Sequence, residues 1–583
     1  MITPIATQAE RTHPLGLRPR GLLPNFYDVV VFFLIAGIFV ALAHGAREMR
    51  APLASLDVAP VTLDPMNLPG YALLTTLRMF AAIIASLLFT FVVATLAAKS
   101  RKAELVIIPA LDILQSVPVL GFLTFTVVFF MRLFPASELG AECAAIFAIF
   151  TAQAWNMAFS FYQSLRTVPS DLDEVSRHFQ LSPWLRFWRL EVPFAAPGLI
   201  WNTMMSMSGG WFFVVASEAV SVGNTTFKLP GIGSWLAVAI EQKDKGAVAL
   251  AVATMAAVIL AYDQLLFRPI VAWADKFRFE QTAAQQRPQS WVYDIMRRAR
   301  LLKRLLALLS ALQARAATIR PIRSSLRLPA MSPRWSKATD LVWIVIVLAA
   351  ALEALWRMIE YMRTTLGLKD VIEAVGLGSL TLIRVVVLIA VASVIWVPVS
   401  VWIGLRPWAA EKVQPLAQFL AAFPANVLFP IAVVAIVSLH LDPNIWLSPL
   451  MVLGTQWYIV FNVIAGASAF PTDLREAATL YRLRSWQWWR EVMLPGILPY
   501  YVTGALTASG GSWNASIVAE VASWGDTKLS AAGLGAYIAQ ATEAGDYPRV
   551  VLGIAVMSIF VVVLNRLLWR PLYRLAERRF RLN

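Results

Sequence analysis

Two charged segments of the chain carry ionisable side chains at a spacing that could bind another protein. They are DLDEVSRHFQLSPWLRFWRLEVPFAAP, residues 171–197, and DLREAATLYRLRSWQWWREVMLPGILP, residues 473–499. Each segment sets one glutamate, Glu174 or Glu476, close to arginines in a stretch that predicts a short helix. A short amphipathic helix of this kind either lies on a membrane or inserts its exposed face into a groove of a partner, and two equivalent copies favour a partner that also comes in two copies.

Catalytic and metal chemistry have little support in the sequence. The only cysteine, Cys143, leaves no intramolecular disulfide, and the four histidines are scattered, so a Cys/His metal site is not expected. No pair of a nucleophile and a base stands out, and the phosphate-binding pattern GxxxxGK[ST] is missing. We therefore expect a non-catalytic subunit with no cofactor or metal of its own.

Long apolar runs lie on both sides of each charged segment, and the helices that they predict must position it. Hydrophobic residues make up 58% of the chain and charged residues 15%, whereas ordinary soluble domains carry about a quarter charged residues. Runs such as 79–98 and 385–401 approach the roughly 20 residues that cross a bilayer as a helix. The sequence therefore predicts an all-α polytopic membrane protein.

The second half of the chain repeats the first. Arg78 matches Arg384 at an offset of 306, and Glu174 matches Glu476 at an offset of 302 that holds from Trp155 onward. The shift of four residues is expected in a loop between 122 and 155. Collinear matches of this extent indicate a duplication, and we predict about 12 transmembrane helices as two parallel six-helix repeats.

The predicted spans lie at matched places in the two repeats. In the first repeat they are 27–45, 73–98, 107–134, 143–165, 198–220 and 247–267. In the second they are 339–358, 379–404, 413–439, 446–468, 500–521 and 548–569. The predicted division of the chain is an N-terminal segment 1–26, a first membrane domain 27–270, a basic linker 271–337 with an amphipathic helix, and a second membrane domain 338–583.

The basic residues predict the orientation in the membrane. The formal net charge is +15, and the basic clusters lie in residues 11–20, 99–102, 268–337 and 570–583. Because cytoplasmic loops are rich in Lys and Arg, we expect both termini, the linker and both charged segments on the cytoplasmic side. The bilayer accounts for this charge, so a nucleic-acid partner is not expected. The linker helix either rests on the anionic inner leaflet or is solvated by its own charges.

Each charged segment has recognisable start and stop signals. Pro169 and Pro471 each precede a hydroxyl residue, Ser170 or Thr472, that we expect to cap a short helix. In the first copy, Asp173 follows Ser170 by three residues and approximates a capping box. A pair of prolines near the end of each segment is expected to terminate the loop.

EAATLYR followed by MLP resembles the EAA loop of the permease subunits of ABC importers. PLAQFLAAFPANVLFP, QWYIVFNVIAGASAFPTDLREAA, and GGSWNASIVAEV followed by GLGAYI are similar to the nitrate/sulfonate/taurine-type branch of that family. The resemblance implies two permease domains of the type I ABC importer fold fused in one chain of the bacterial cytoplasmic (inner) membrane. It also implies two cytoplasmic ATPase subunits that bind ATP and Mg, an extracytoplasmic solute-binding protein, and a small anion as solute.

The same resemblance implies a coupling role for particular loop residues. They are Glu174, Arg177, Gln180, Pro193, Glu476, Ala477, Ala478, Arg482 and Pro495. Gln180 and Arg482 depart from the family pattern, which has glycine at that position, where a turn with positive φ is expected. A solvated helix face is the alternative interpretation of the two glutamates.

Polar residues inside predicted spans are candidates for a translocation pathway. They are Asn202, Ser206, Ser208, Trp211, Glu218, Ser509, Ser512, Trp513, Asn514 and Glu520. Close helix packing would equally explain the small residues, and a position at the membrane interface would explain the two glutamates. Arg78 and Arg384 either extend toward the interface or contribute to an anion path.

Two other function classes compete with an ATP-driven importer. An ion-coupled secondary transporter would require several buried carboxylates or broken helices at the membrane midplane, and these are sparse in the sequence. A membrane-embedded enzyme would require a catalytic constellation, and none stands out.

Overall fold

The structure is a computed structural model that describes residues 25–49, 61–115, 119–135, 137–222, 225–277, 290–304, 307 and 333–579. Most of the predicted N-terminal segment and much of the predicted linker lie outside these residues. The main helices of the first repeat are Phe26–Glu48, Leu68–Lys99, Arg101–Leu114, Val119–Leu133, Leu139–Arg166, Ser170–His178, Val192–Glu218, Ile232–Glu241, Lys245–Tyr262 and Arg268–Ala274. Those of the second are Pro333–Arg363, Leu368–Gly404, Pro407–Ala422, Phe429–Ser438, Gln456–Ser468, Thr472–Leu480, Leu494–Ala519, Leu534–Ala544, Tyr547–Leu564 and Arg570–Arg579.

The duplication is visible in irregular features as well as in helices. Two π-helical turns of the first repeat, Phe187–Glu191 and Asp263–Phe267, recur as Trp489–Met493 and Asn565–Trp569 in the second. Both pairs keep the sequence offset of 302. The predicted shift of four residues lies between Leu133 and Leu139, at the end of one helix and the start of the next. The repeat and the predominantly helical fold are confirmed.

Fewer unbroken spans are present than the sequence predicted. Among the described residues, seven helices are long and apolar enough to cross a membrane, or up to nine if each bent pair counts as one span. The predicted span 413–439 is broken, because Pro407–Ala422 and Ala425–Ser438 meet at an angle of 79°. Pro424 lies at this bend, where a proline lacks an amide hydrogen and disfavours helix in the preceding residue. The number of about 12 spans stays a prediction.

Two β-hairpins extend the fold beyond the predicted all-helical architecture. Strands Ala219–Val222 and Thr225–Lys228 pair antiparallel, as do Val521–Trp524 and Thr527–Ser530. Each hairpin directly follows a long helix of its repeat, Val192–Glu218 or Leu494–Ala519. Gly-Asn and Gly-Asp dipeptides between short runs of β-formers are hairpin signals that could have revealed both.

The two repeats share contacts at the second hairpin. The amide nitrogen of Gly525 donates a hydrogen bond of 2.9 Å to the carbonyl oxygen of Ile240 in the first repeat. The ammonium group of Lys243 lies 2.9 Å from the carboxylate of Asp526. The hydrogen bond that the Lys243 ammonium donates to Asp526, together with its positive charge, lowers the pKa of the exposed Asp526 carboxyl. The hairpin of one repeat is therefore tied to the loop that ends a helix of the other.

The repeats also share a hydrophobic core. One continuous cluster joins buried side chains of the second repeat to first-repeat residues such as Leu123, Ala148 and Phe213. Between membrane-spanning helices, close van der Waals packing stabilises such a cluster. The two repeats thus form one packed unit.

The described part of the linker packs on the first helix. Asn25 Nδ2 donates to the carbonyl oxygen of Arg298 at 2.9 Å, and Asp28 Oδ1 accepts from the amide nitrogen of Leu301 at 2.7 Å. Val292, in the helix Trp291–Arg298, is buried. The linker helix is therefore anchored by protein contacts, which neither sequence interpretation included.

Candidate coupling loops and transport pathway

The short helices of the charged segments are present in both copies. They span Ser170–His178 and Thr472–Leu480, which confirms the predicted helices. The capping prediction was wrong, because Pro169 and Pro471 occupy the N-cap position and Ser170 is the first helical residue. Neither proline makes a side-chain capping hydrogen bond, but each fixes its own φ at the helix start and has no amide hydrogen to satisfy.

Gln180 and Arg482 adopt the backbone conformation that glycine favours. Their φ angles are 48° and 54°, in the left-handed region. The amide of Leu181 donates to the carbonyl of Ser176, and the amide of Leu483 donates to that of Ala478, which closes each helix end by the same hydrogen-bond pattern. Both loops therefore retain the turn at the glycine position, at the cost of a strained non-glycine residue.

Five charged residues fix the first loop against the end of a membrane helix. Glu191, buried at the end of the loop, lies 2.9 Å from the Lys99 ammonium and 3.1 Å from the Arg186 guanidinium. Arg186 also lies 2.6 Å from Asp173 on the loop helix, and Asp173 is 2.8 Å from Arg177. The ion pairs link the loop helix, the following turn and the helix Leu68–Lys99.

The second loop is held differently. At the positions that match Asp173, Arg186 and Glu191 stand Arg475, Trp488 and Met493. Met493 is fully buried and belongs to the hydrophobic core, and Trp488 packs against that core. Apolar packing replaces the ion pairs, so the two loops differ in sensitivity to salt and to charge removal.

The coupling candidates lie mostly at the surface. Glu174, Arg177, Gln180, Glu476 and Arg482 are exposed. The remaining candidates are half-buried or buried and pack the loop onto the membrane helices: Pro193, Ala477, Ala478 and Pro495. Large apolar side chains accompany the exposed glutamates, and the matched pairs are Phe179 with Tyr481 and Trp184 with Trp486. Each loop therefore presents a mixed charged and aromatic surface.

A buried ion-pair cluster occupies the interior of the first repeat. The side chain of Arg78 is completely buried and makes a two-point contact with Glu142, at 2.5 and 2.6 Å. Its other terminal nitrogen lies 2.6 Å from Glu218 and donates to the carbonyl oxygen of Pro230 at 2.9 Å. Glu218 also accepts a hydrogen bond of 2.7 Å from the amide of Gly233. A buried arginine needs such partners to offset the loss of water.

The second repeat keeps the cluster but with fewer charges. Arg384 lies 3.2 Å from Glu520 and donates to the carbonyl oxygen of Ala532 at 2.7 Å. The Thr381 hydroxyl donates to Glu520 at 2.8 Å. Where the first repeat has Glu142, the second has Asn444, whose side-chain oxygen accepts from the amide of Ala532 at 2.9 Å. The first cluster thus has two carboxylates and the second has one.

These contacts give the positions and partners of Arg78, Arg384, Glu218 and Glu520. Arg78 is buried rather than extended toward an interface, so that interpretation was wrong for it. Glu218 and Glu520 are buried and bind arginines of their own repeats. Sequence reasoning missed Glu142, and its only signal was a carboxylate near the start of an otherwise apolar helix.

A cavity of about 220 Å³ lies between the repeats and is lined mostly by the second. We call it the second-half cavity. Three of the pathway candidates line it: Ser509, Trp513 and Asn514. First-repeat residues complete the wall, and the Asn514 side-chain oxygen accepts a hydrogen bond of 2.8 Å from the amide of Val119. Trp569 and Asn565, which sequence reasoning missed, also line it.

The other pathway candidates lie elsewhere. Trp211 is buried and lines a separate first-half cavity of about 380 Å³. Asn202 donates to the Ser160 hydroxyl at 2.8 Å, and the Ser512 hydroxyl lies 2.9 Å from that of Thr455. The remaining two are Ser206, which is buried, and Ser208, whose side chain lies outside the described part of the chain.

Comparison with known families assigns the chain. Residues 86–267 and 396–582 each match the family described as binding-protein-dependent transport system inner membrane component. The two matches cover more than half of the chain, one in each repeat. The chain belongs to this family. It is an ABC importer permease with a duplicated permease domain, a non-catalytic membrane component, and a multi-pass inner-membrane protein.

Similar proteins include permeases of named anion systems. The chain is 25% identical over 186 residues to the nitrate import permease protein NrtB of Synechocystis, which covers 32% of this chain and 64% of that protein. It is 28% identical over 190 residues to the bicarbonate transport system permease protein CmpB of Synechococcus elongatus, covering 33% and 64%. The osmoprotectant import permease protein OsmY of Salmonella typhimurium is 26% identical over 200 residues, covering 34% and 80%. The match thus spans less than two thirds of the nitrate and bicarbonate permeases.

Proposed function

We propose that this permease forms the translocation pathway of an ATP-driven importer for a small anion. Both loops are proposed to dock on cytoplasmic ATPase subunits, one ATPase for each repeat. The observation that carries the proposal is the pair of matched loops, each with an exposed glutamate and the same turn at the family's glycine position. A helix with one charged and aromatic exposed face is suited to a groove on a partner protein.

The solute class rests on the relatives. Two of them are named as nitrate and bicarbonate permeases, and both solutes are small oxyanions. A nitrate-, sulfonate- or taurine-like anion fits this group. An extracytoplasmic solute-binding protein would deliver the anion, and ATP with Mg would be bound by the ATPase subunits alone.

The loops, the linker and both termini are proposed to face the cytoplasm. Support comes from the basic clusters, because Lys and Arg accumulate on that side of membrane proteins. The ion-coupled transporter is the competing class. Its buried carboxylates would have to exchange ions, whereas Glu142, Glu218 and Glu520 each bind an arginine.

Co-purification of the ATPase tests the coupling proposal. The chain would be expressed with its neighbouring genes and purified by a tag on the permease alone. We expect an ATPase to co-purify and to be lost from the double variant Glu174→Lys with Glu476→Lys, because each substitution reverses the charge of an exposed loop residue. Glu373→Lys, an exposed glutamate outside both loops, is the matched control and should retain the ATPase. Retention of the ATPase by the double variant would contradict the proposal.

A further inference from the structure

The two cavities between the repeats occupy equivalent places in the duplicated fold. Trp211 and Phe267 line the first-half cavity, and the residues that match them, Trp513 and Trp569, line the second-half cavity. Each cavity is completed by residues of the other repeat, including Phe419 in the first case and Trp155 in the second. Differences between matched wall residues therefore indicate which kind of solute each cavity can bind.

The cavities differ in charge. Asp263 and Arg268 both line the first-half cavity, and their charged groups lie 3.0 Å apart. Asn565 stands at the position that matches Asp263. Among the described residues, the wall of the second-half cavity holds no Asp, Glu, Lys, Arg or His. The duplication has thus left a carboxylate in one cavity and a neutral amide in the other.

Among the described residues, three buried unpaired hydrogen-bonding atoms belong to residues that line the second-half cavity, whereas one, the Tyr262 hydroxyl, belongs to a residue that lines the first-half cavity. The indole nitrogens of Trp513 and Trp569 are buried without a hydrogen-bond partner among the described residues, and so is the side-chain oxygen of Asn565. Trp513 is 1% exposed and Trp569 6%. A buried donor without a partner has lost its hydrogen bonds to water without replacing them, so its presence calls for an explanation such as a ligand. At the matched first-half position, Phe267 has no donor.

We propose that the second-half cavity is the solute site of the pathway and that it takes a small oxyanion. The indole N–H groups of Trp513 and Trp569 donate to oxygen atoms of the anion. The Asn565 amide supplies a further N–H group after a half-turn about its last side-chain bond. In the first-half cavity Arg268 is already paired with the Asp263 carboxylate, and Phe267 supplies no N–H group at the position of Trp569. This assignment rests on the proposed function.

Neutral donors match the demands of a pathway. A site within a pathway must attract its solute enough to admit it and hold it weakly enough to release it. Indole and amide donors satisfy the oxygen atoms of an oxyanion without the strong attraction of a fixed cation. The cavity of about 220 Å³ leaves space for the anion with some of its water.

Exchange of matched residues between the cavities tests the assignment. The permease with its co-purified ATPase and solute-binding protein would be reconstituted in proteoliposomes, with nitrate as the probe. Asn565→Asp places in the second-half cavity the carboxylate that Asp263 has in the first-half cavity. Trp569→Phe gives the second-half cavity the phenyl ring of Phe267 and removes the indole N–H donor. Asp263→Asn and Phe267→Trp are the matched controls in the first-half cavity.

We expect Asn565→Asp to reduce ATP-driven nitrate uptake by about tenfold or more, because a carboxylate at contact distance repels the anion. Trp569→Phe should raise the KM for nitrate about tenfold, since a hydrogen bond to a charged group is lost. Both controls should transport within about twofold of the wild type. Unchanged uptake in Asn565→Asp and Trp569→Phe, or equal losses in the controls, would overturn the assignment.

Failure of the proposed function would look different. Wild-type proteoliposomes would then take up no nitrate, bicarbonate or taurine with ATP. Retention of the ATPase on purification and a single peak in gel filtration identify variants that have folded. If Asn565→Asp does not fold, Trp569→Phe, which preserves an aromatic ring, decides the question.

Discussion

The guanidinium group of Arg78 and the carboxylate of Glu218 form an ion pair of 2.6 Å in the interior of the first repeat. Glu218 begins the turn into the first hairpin, and Arg78 lies on a helix 140 residues earlier in the chain. The pair therefore joins the helices Leu68–Lys99 and Val192–Glu218, and the matching pair Arg384 with Glu520 joins Leu368–Gly404 to the end of Leu494–Ala519.

Substitution of Arg78 or of Arg384 should destabilise the protein, and the loss of stability should be larger for Arg78. Arg78→Met would strand two buried carboxylates, and loss of one partner of a buried ion pair costs about 3–5 kcal/mol. Arg384 is 15% exposed and contacts one carboxylate, so Arg384→Met should cost less. Apparent melting temperatures in detergent compare the variants. A larger decrease for Arg384→Met would contradict this account of the clusters.

Gly231 and Gly533 should not tolerate alanine. A Cβ atom at Gly231 would collide with the Glu218 carboxylate, and one at Gly533 with the Glu520 carboxylate. Both substitutions should lower the melting temperature by displacing the carboxylate from its arginine. Gly376→Ala is the matched control, because no atom lies within 4 Å of its added Cβ and alanine favours helix. Normal melting of Gly231→Ala would show that the cluster can rearrange.

Glycine at positions 180 and 482 should stabilise the coupling loops. Gln180 and Arg482 have positive φ, and the left-handed conformation costs a non-glycine residue about 1–2 kcal/mol. Gln180→Gly and Arg482→Gly should therefore slow hydrogen exchange of the loop amides. Thr479→Gly, within the loop helix, should accelerate exchange instead. Faster exchange in the first two variants would contradict the inferred strain.

The local stability of the first loop should depend on its ion pairs, whereas that of the second loop should not. Glu191→Gln removes the charge that binds Lys99 and Arg186, so we expect faster hydrogen exchange across residues 170–186 and no change across 472–488. Glu491→Gln, an exposed residue of the second loop, is the control. Equal effects of Glu191→Gln on both loops would show that they are not held separately.

The sequence predicts the duplication and the loops well because both depend on local pattern. The offset of 302 identified Glu476 and Trp513 as the counterparts of Glu174 and Trp211, and it matched the loop prolines of the two repeats. The glycine position of the family pattern identified the turns where Gln180 and Arg482 have positive φ. The coupling and pathway roles of these residues stay predictions.

The sequence does not predict contacts between distant segments. Glu142 binds Arg78 across 64 residues, and no periodicity in either helix indicates that pairing. Trp569 and Asn565 were missed because they sit at the end of an apolar span, where an aromatic residue and an amide suggest a membrane interface. Only the packing of the π-helical turn Asn565–Trp569 against Leu494–Ala519 brings them to a cavity.

The energy source of transport is the central claim of this account. Proteoliposomes holding the permease, its ATPase and the solute-binding protein would be assayed for nitrate uptake with and without ATP, before and after ionophores collapse the proton and sodium gradients. We predict uptake that requires ATP and persists without the gradients. Uptake that proceeds without ATP and stops when the gradients collapse would contradict the account and identify an ion-coupled transporter.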